Sequence, residues 1–171
     1  MDASWPGDTS SLIYLAKADA FSETAFLGPI GCPPSVWREA VDQGRLAGAA
    51  DVLTIERAEK RGQIRRIDLD TRTRSRAKQI AAARGLGAGE SEVIALARVG
   101  HPVLVDEGKA TRVAMDLGIA PISVLTLPVV GVWIRAMDVE EATELLHRLA
   151  VPTSAKSRTV TEIEQTLEGL R

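Results

Sequence analysis

Cysteine and histidine are nearly missing from this chain, and their scarcity closes several routes. A single cysteine, Cys32, excludes an internal disulfide and a thiolate zinc site. Two histidines, His101 and His147, are too few for a histidine-built metal site. Aromatic residues make up only 4% of the 171 residues, so the core must be aliphatic. No apolar run approaches a membrane span, and the N-terminus lacks the basic-then-apolar layout of a signal peptide. A cytoplasmic protein with no membrane partner is expected. There is no internal repeat, no phosphate-loop glycine pattern and no Gly-x-Ser-x-Gly elbow. Gly85-Leu86-Gly87-Ala88-Gly89-Glu90 approaches a dinucleotide fingerprint, but Glu90 stands where its third glycine belongs and no strand directly precedes it.

Net charge is also small, at −2, yet it is unevenly spread. Residues 57–84 hold ten Lys/Arg against three acids, a net +7, while the rest of the chain is −9. Such a band is either a solvated helical face or a track for a phosphate backbone. The length suits one domain over residues 1–150, with the basic helical segment inside it. Residues 151–171 read as a linker and a short final helix.

Apolar patterning predicts alternating helices and strands. Asp8-Thr9-Ser10-Ser11 offers N-caps before a helix through Leu12 to Lys17. Ile30–Cys32 reads as a strand, and Pro33-Pro34 opens a helix carrying Glu39. Gly44 to Gly48 reads as a turn, residues 50–61 as a helix and Ile64–Ile67 as a strand. Residues 72–84 form a basic helix stopped by Gly85, and a short apolar helix runs from Glu90. Pro102–Val105 and Ile119–Leu125 read as strands covered on both faces. Asp138 with Glu141 is a capping box for the helix that follows. Residues 1–7 make a poor strand, because Pro6 and Gly7 interrupt it. The class is therefore α/β with a largely parallel sheet, in which ligands bind outside the carboxyl ends of the strands.

Acids gather at those expected ends. Asp8 follows the first segment, and Asp106-Glu107 follows the Val103-Leu104-Val105 run, where adjacent carboxylates repel without a counter-charge. Glu90 and Glu92 open a helix. In helical phase Glu90 falls with Ile94 and Ala97, on the packed side, where an unpaired carboxylate is costly. Taken singly, Asp8 is an N-cap, Glu39 a surface acid and Glu90 a first-turn acid complementing the helix dipole. Together they make an oxygen-only set suited to Mg²⁺ or Mn²⁺, ions that serve phosphate chemistry.

Four segments in order carry a resemblance: Asp8-Thr-Ser-Ser-Leu-Ile-Tyr-Leu-Ala16, Pro33-Pro-Ser-Val-Trp-Arg-Glu39, Gly89-Glu-Ser-Glu-Val-Ile-Ala-Leu-Ala97 and Val103-Leu-Val-Asp-Glu-Gly-Lys-Ala-Thr-Arg-Val-Ala114. Over residues 8 to 135 the chain resembles the PIN domain, and most closely the VapC-like prokaryotic toxins. That resemblance implies a three-layer α/β/α sandwich and an Mg²⁺- or Mn²⁺-dependent ribonuclease. It also implies an RNA substrate, a small antitoxin partner and a homodimer. Carried over, Asp8 is the first metal acid, with Thr9 or Ser10 behind it, and Glu39 is the second. Glu90 or Glu92 takes the third place and Asp106 or Glu107 the fourth. Lys109 and Arg112 become candidate nucleic-acid contacts, and the basic band adds Arg74 and Arg76. Where the family has an apolar strand before its first aspartate, this chain has Trp5-Pro6-Gly7. A catalytically impaired RNA- or protein-binding module is therefore the alternative.

Overall fold

Trp5–Pro6, the segment least suited to a strand, forms β1 at the centre of the sheet in the computed structural model, which describes residues 4–97, 100–106 and 108–171. β1 pairs in parallel with β2 (Ile30–Cys32), and β2 with β3 (Ile64–Arg66). On its other side lie β4 (Pro102–Leu104) and β5 (Ala120–Ile122), also parallel. The two groups meet at a bridge between Gly7 and Leu104, giving the order β3-β2-β1-β4-β5. The expected interruption at Pro6-Gly7 does not occur, and the hydrogen bonds explain why. Gly7 N–H donates to Gly31 O at 2.9 Å, toward β2, and Asp8 N–H donates to Leu104 O at 3.0 Å, toward β4. By strand alternation, the N–H that Pro6 lacks would face the β4 side, where pairing begins only at Gly7. Gly7 itself is there for room: a Cβ on it would stand 2.9 Å from Ile30 Cγ2.

Helices cover both faces because the chain crosses the sheet in two directions. From β1 to β3 it travels one way, through α1 (Thr9–Lys17), α2 (Pro34–Trp37), α3 (Gly44–Leu46) and α4 (Val52–Lys60). It returns through α5 (Thr71–Arg84) and α6 (Ala88–Leu96) to β4, then through α7 (Gly108–Asp116) to β5. Right-handed crossovers in opposite directions place these two sets on opposite faces. Accordingly α1 packs on α4, while α6 packs on α5 and α7; α2 is the exception and meets α6. The segment expected as a turn after α2 stays helical: Arg38–Gln43 is a π-helical stretch, and α3 follows before Gly48 turns the chain.

An aliphatic core joins the layers, with Leu12, Leu15, Ile94, Leu104, Leu127 and Leu149 fully buried. α8 (Leu127–Trp133), α9 (Val139–Ala150) and α10 (Ser157–Glu168) complete the chain. Asp138 and Glu141 exchange both capping-box bonds at 2.9 Å. α10 is anchored: Ile163 and Leu167 pack on Ala142 and Leu146, and Glu164 meets His147 Nε2 at 2.7 Å. β5 departs from expectation. It is an edge strand with Ala120 exposed and Pro121 half-buried, since nothing pairs beyond it among the described residues. No helix among the described residues is long and apolar enough to cross a membrane.

The close approach at Gly7 generates a test. Gly7→Ala is expected to destabilise the fold by about 1–3 kcal/mol through overpacking against β2, as read from denaturant unfolding. Wild-type stability in that variant would show that the strands separate freely.

Candidate active site

The strand order reverses between β1 and β4, and in open parallel sheets that reversal leaves a crevice at the carboxyl ends. Asp8 comes two residues after β1, as Asp106 does after β4. Asp8 is only 1% exposed. Its Oδ1 caps α1, accepting from Ser11 N–H at 2.8 Å, which is the ordinary work of an N-cap aspartate. Its Oδ2 is buried and has no hydrogen-bond partner among the described residues, a condition shared only with Ser91 Oγ. A carboxylate oxygen left this way is costly unless a proton or a cation meets it.

Hydroxyl groups hold the neighbouring acids. Ser11 Oγ donates to Asp106 Oδ2 at 3.0 Å, while Ser123 Oγ and Val124 N–H (3.2 Å) donate to Asp106 Oδ1. Thr9 Oγ1 donates to Glu39 Oε2 at 2.7 Å, tying the π-helical stretch to the first turn of α1. Asp8, Thr9, Ser10, Glu39, Gly87, Gly89 and Glu90 line one open cavity of about 340 Å³. Gly89 makes room for this arrangement, because a Cβ there would lie 3.0 Å from Glu39 Oε2 and 3.4 Å from Thr9 Oγ1.

Burial pushes the Asp8 carboxyl up from 3.8 to about 6, and the charge of Asp106 adds to that, against the opposing hydrogen bonds from Ser11 and from the Asp106 backbone. The two aspartates therefore sense one another across the β1–β4 crevice. Cys32 lies outside this chemistry: it is buried, and desolvation pushes its thiol up to about 12.

The sequence-expected residues sort into groups. Asp8, Thr9, Ser10, Glu39 and Glu90 share the cleft. Asp106 is held beside Asp8 through Ser11. Glu92 is set apart, since Ser35 N–H and Ser35 Oγ each donate to it at 2.7 Å and its carboxylate caps α2. Glu107 lies outside the described residues. Glu90 is not on the packed side as its helical phase suggests. α6 starts at Ala88, which makes Glu90 the third residue, and its Oε2 turns back to accept from Gly87 N–H at 2.8 Å. It stands half-buried at the rim of the cleft. The four cations expected to meet nucleic acid all bond to backbone carbonyls: Lys109 to Gly85 (2.7 Å), Arg112 to Gly108 (3.1 Å), Arg74 to Leu69 (3.1 Å) and Arg76 to Ala95 and Ala97 (3.4 Å each).

Sequence reasoning missed Ser11, Ser123, Ser35 and Gly89. Ser11 had a signal, being the third helical residue after an N-cap aspartate. Ser123 had none, because seventeen residues separate it from Asp106.

Among the described residues no three His, Cys, Asp or Glu side chains form a metal-holding group. The donor set nonetheless fits a small hard cation. Mg²⁺ is commonly held by one or two carboxylates plus waters and substrate phosphate. Asp8 supplies the unpartnered oxygen, and the cavity leaves space for waters.

The protonation of Asp8 sets a pH test on the metal-free protein. Its raised value stabilises the fold fully below about pH 4, and this contribution is lost as pH rises through about 6. In a chelator, Asp8→Asn keeps the cap but removes the buried charge. The variant is expected to exceed wild type in stability at pH 8 by on the order of 3 kcal/mol, a gain that disappears below pH 4. A difference independent of pH would overturn the assignment.

A family model described as a PIN domain matches residues 7–162. No curated protein and no solved structure matches the chain.

Proposed function

The chain belongs to the PIN-domain family, whose fold is generally that of nucleases acting on nucleic acid, and from that premise we propose that it is an Mg²⁺- or Mn²⁺-dependent endoribonuclease. The observation that carries this reading is the buried, unpartnered Oδ2 of Asp8 in a cleft shared with Glu39 and Glu90. Asp8, Asp106 and Glu90 are the residues that would hold the cation. When bound, it supplies charge neutralisation at the phosphate and a water of lowered pKa. Thr9 fixes Glu39 in one orientation, which suits that carboxylate to take a proton from the attacking water. Ser11 and Ser123 donate to Asp106 and hold it still. Gly89 keeps the floor of the cleft free of side chain, so that a phosphate can approach.

The motive for the impaired-module alternative weakens, because the strand carries on through Pro6-Gly7, with β1 paired to β2 and Gly7 bridged to Leu104. Resemblance to VapC-like toxins extends the reading to a toxin held by a small antitoxin and acting as a homodimer. Sedimentation of the purified chain tests the dimer, and growth arrest on induction, absent in Asp8→Asn, tests the toxin role.

The direct test is RNA cleavage under Mg²⁺ or Mn²⁺ titration. Asp8→Asn and Glu90→Gln are each expected to lose at least roughly 10–100-fold in turnover. Gly89→Ala is expected to lower it through displacement of Glu39. Because cation binding requires ionised Asp8, Mn²⁺ affinity is expected to rise as pH passes about 6. Equal cleavage by wild type and all three variants would overturn the proposal.

A further inference from the structure

We infer that the outer face of α5 is a distal groove for the sugar-phosphate backbone of single-stranded RNA, separate from the acidic cleft; only the identity of the polymer rests on the nuclease reading. α5 carries Arg72, Arg74, Arg76, Lys78 and Arg84 and no acid, and of its residues only Ala77 and Ile80 are buried. Arg72 with Arg76 and Arg74 with Lys78 are like charges one helical turn apart, an arrangement that weakens a helix. Arg72 and Arg74 also stand near the helix start, the end at which cations are disfavoured. Asp70, at that end, is engaged in capping Thr73 N–H at 2.6 Å and also senses the charge of Arg72. No carboxylate lies within salt-bridge distance of Arg72, Arg74, Arg76 or Lys78 among the described residues. A helix selected for stability alone would not concentrate unpaired cations at its unfavourable end. A polyanion lying against it removes the conflict.

The shape and lining say which polyanion. An open groove of about 790 Å³ runs along this face, lined by Arg72 and Arg76 with Thr71, Thr73, Ser75 and Gln79. Hydroxyl, amide and guanidinium donors of this kind suit phosphate and ribose oxygens. Among the described residues Ala95 is the sole apolar side chain in the lining, so an acidic peptide would find no large apolar or aromatic side chain there to anchor it. Arg76 is preset for the task. Its Nη1 bonds to Ala95 O and Ala97 O on α6, which leaves the other edge of the guanidinium fork for a ligand.

The position of α5 explains why the groove would serve catalysis. The helix is about 20 Å long and ends at Gly85, two residues before Gly87 lines the cleft. Lys109 holds that corner through Gly85 O at 2.7 Å. An RNA on α5 thus runs toward Asp8, and a substrate touching both sites must be several nucleotides long. A dinucleotide reaches the cleft alone.

The test uses the full chain and an exposed pair, Arg72→Gln in the groove and Lys78→Gln one turn beyond its Ser75, which leaves the structural bonds of Arg76 in place. Binding of an oligoribonucleotide long enough to span α5 is followed by fluorescence anisotropy in a chelator, across a salt series. The double variant is expected to lose roughly tenfold in affinity, with a salt slope flattened by about 1.4, or 0.7 for each phosphate contact removed. Its melting temperature is expected to equal or exceed that of wild type, which separates lost binding from lost folding. Dinucleotide cleavage is expected to stay unchanged. Wild-type affinity and slope in the double variant would overturn the groove, as would polyglutamate binding as tightly as the RNA, or no RNA binding by the wild type. A flattened slope without cleavage at any Mg²⁺ or Mn²⁺ concentration would sustain the groove and defeat the nuclease reading. Wild-type cleavage of the long RNA by the double variant would do the reverse.

Discussion

Asp8 is held by the ends of two structures at once, and the rest of the site depends on that double use. Just past the end of β1 it donates its N–H to Leu104 across the seam of the sheet. As the N-cap of α1 it accepts from Ser11 with one carboxylate oxygen. Both bonds orient the side chain so that its second oxygen is buried without a partner. Such an oxygen raises the energy of the ionised metal-free state, which is why the carboxyl titrates near 6. The fold therefore carries a local destabilisation that a proton, or a cation, relieves.

Small hydroxyl side chains decide what each surrounding acid can do. Thr9 takes Glu39, Ser11 and Ser123 take Asp106, and Ser35 takes Glu92. The first two leave their acids beside the cleft, whereas the third draws Glu92 away to cap α2. Charge alone would not distinguish these glutamates. The backbone that presents each hydroxyl does.

Much of the architecture was legible, because it follows from local rules. The run Asp8–Ser11 announced α1, Gly85 ended α5 in the left-handed conformation only glycine adopts without strain, and Asp138 with Glu141 capped α9. Strand-and-helix alternation pointed to a parallel sheet. Misreadings arose where a local rule met a tertiary fact. Pro6 is acceptable because of which neighbour its missing N–H would face, and that neighbour is nearly one hundred residues away. β5 is apolar in sequence but lies at the sheet edge. Glu90 has the phase of a buried residue, yet the helix begins so close before it that its side chain folds back to Gly87.

By itself the sequence determined the elements, the aliphatic core, the oxygen-only character of the site and the basic helix, since each depends on composition, capping or period within about one turn or strand. Which acids meet was decided by tertiary structure alone. The reversal of strand order brings Asp8 next to Asp106, the bond from Thr9 draws in Glu39, and α2 claims Glu92. These are contacts between residues far apart in the chain, and their energies depend on distance and burial, which no local pattern encodes. The same holds for Glu90, whose place in the cleft comes from the strand crossing that brings the start of α6 beside the end of β1.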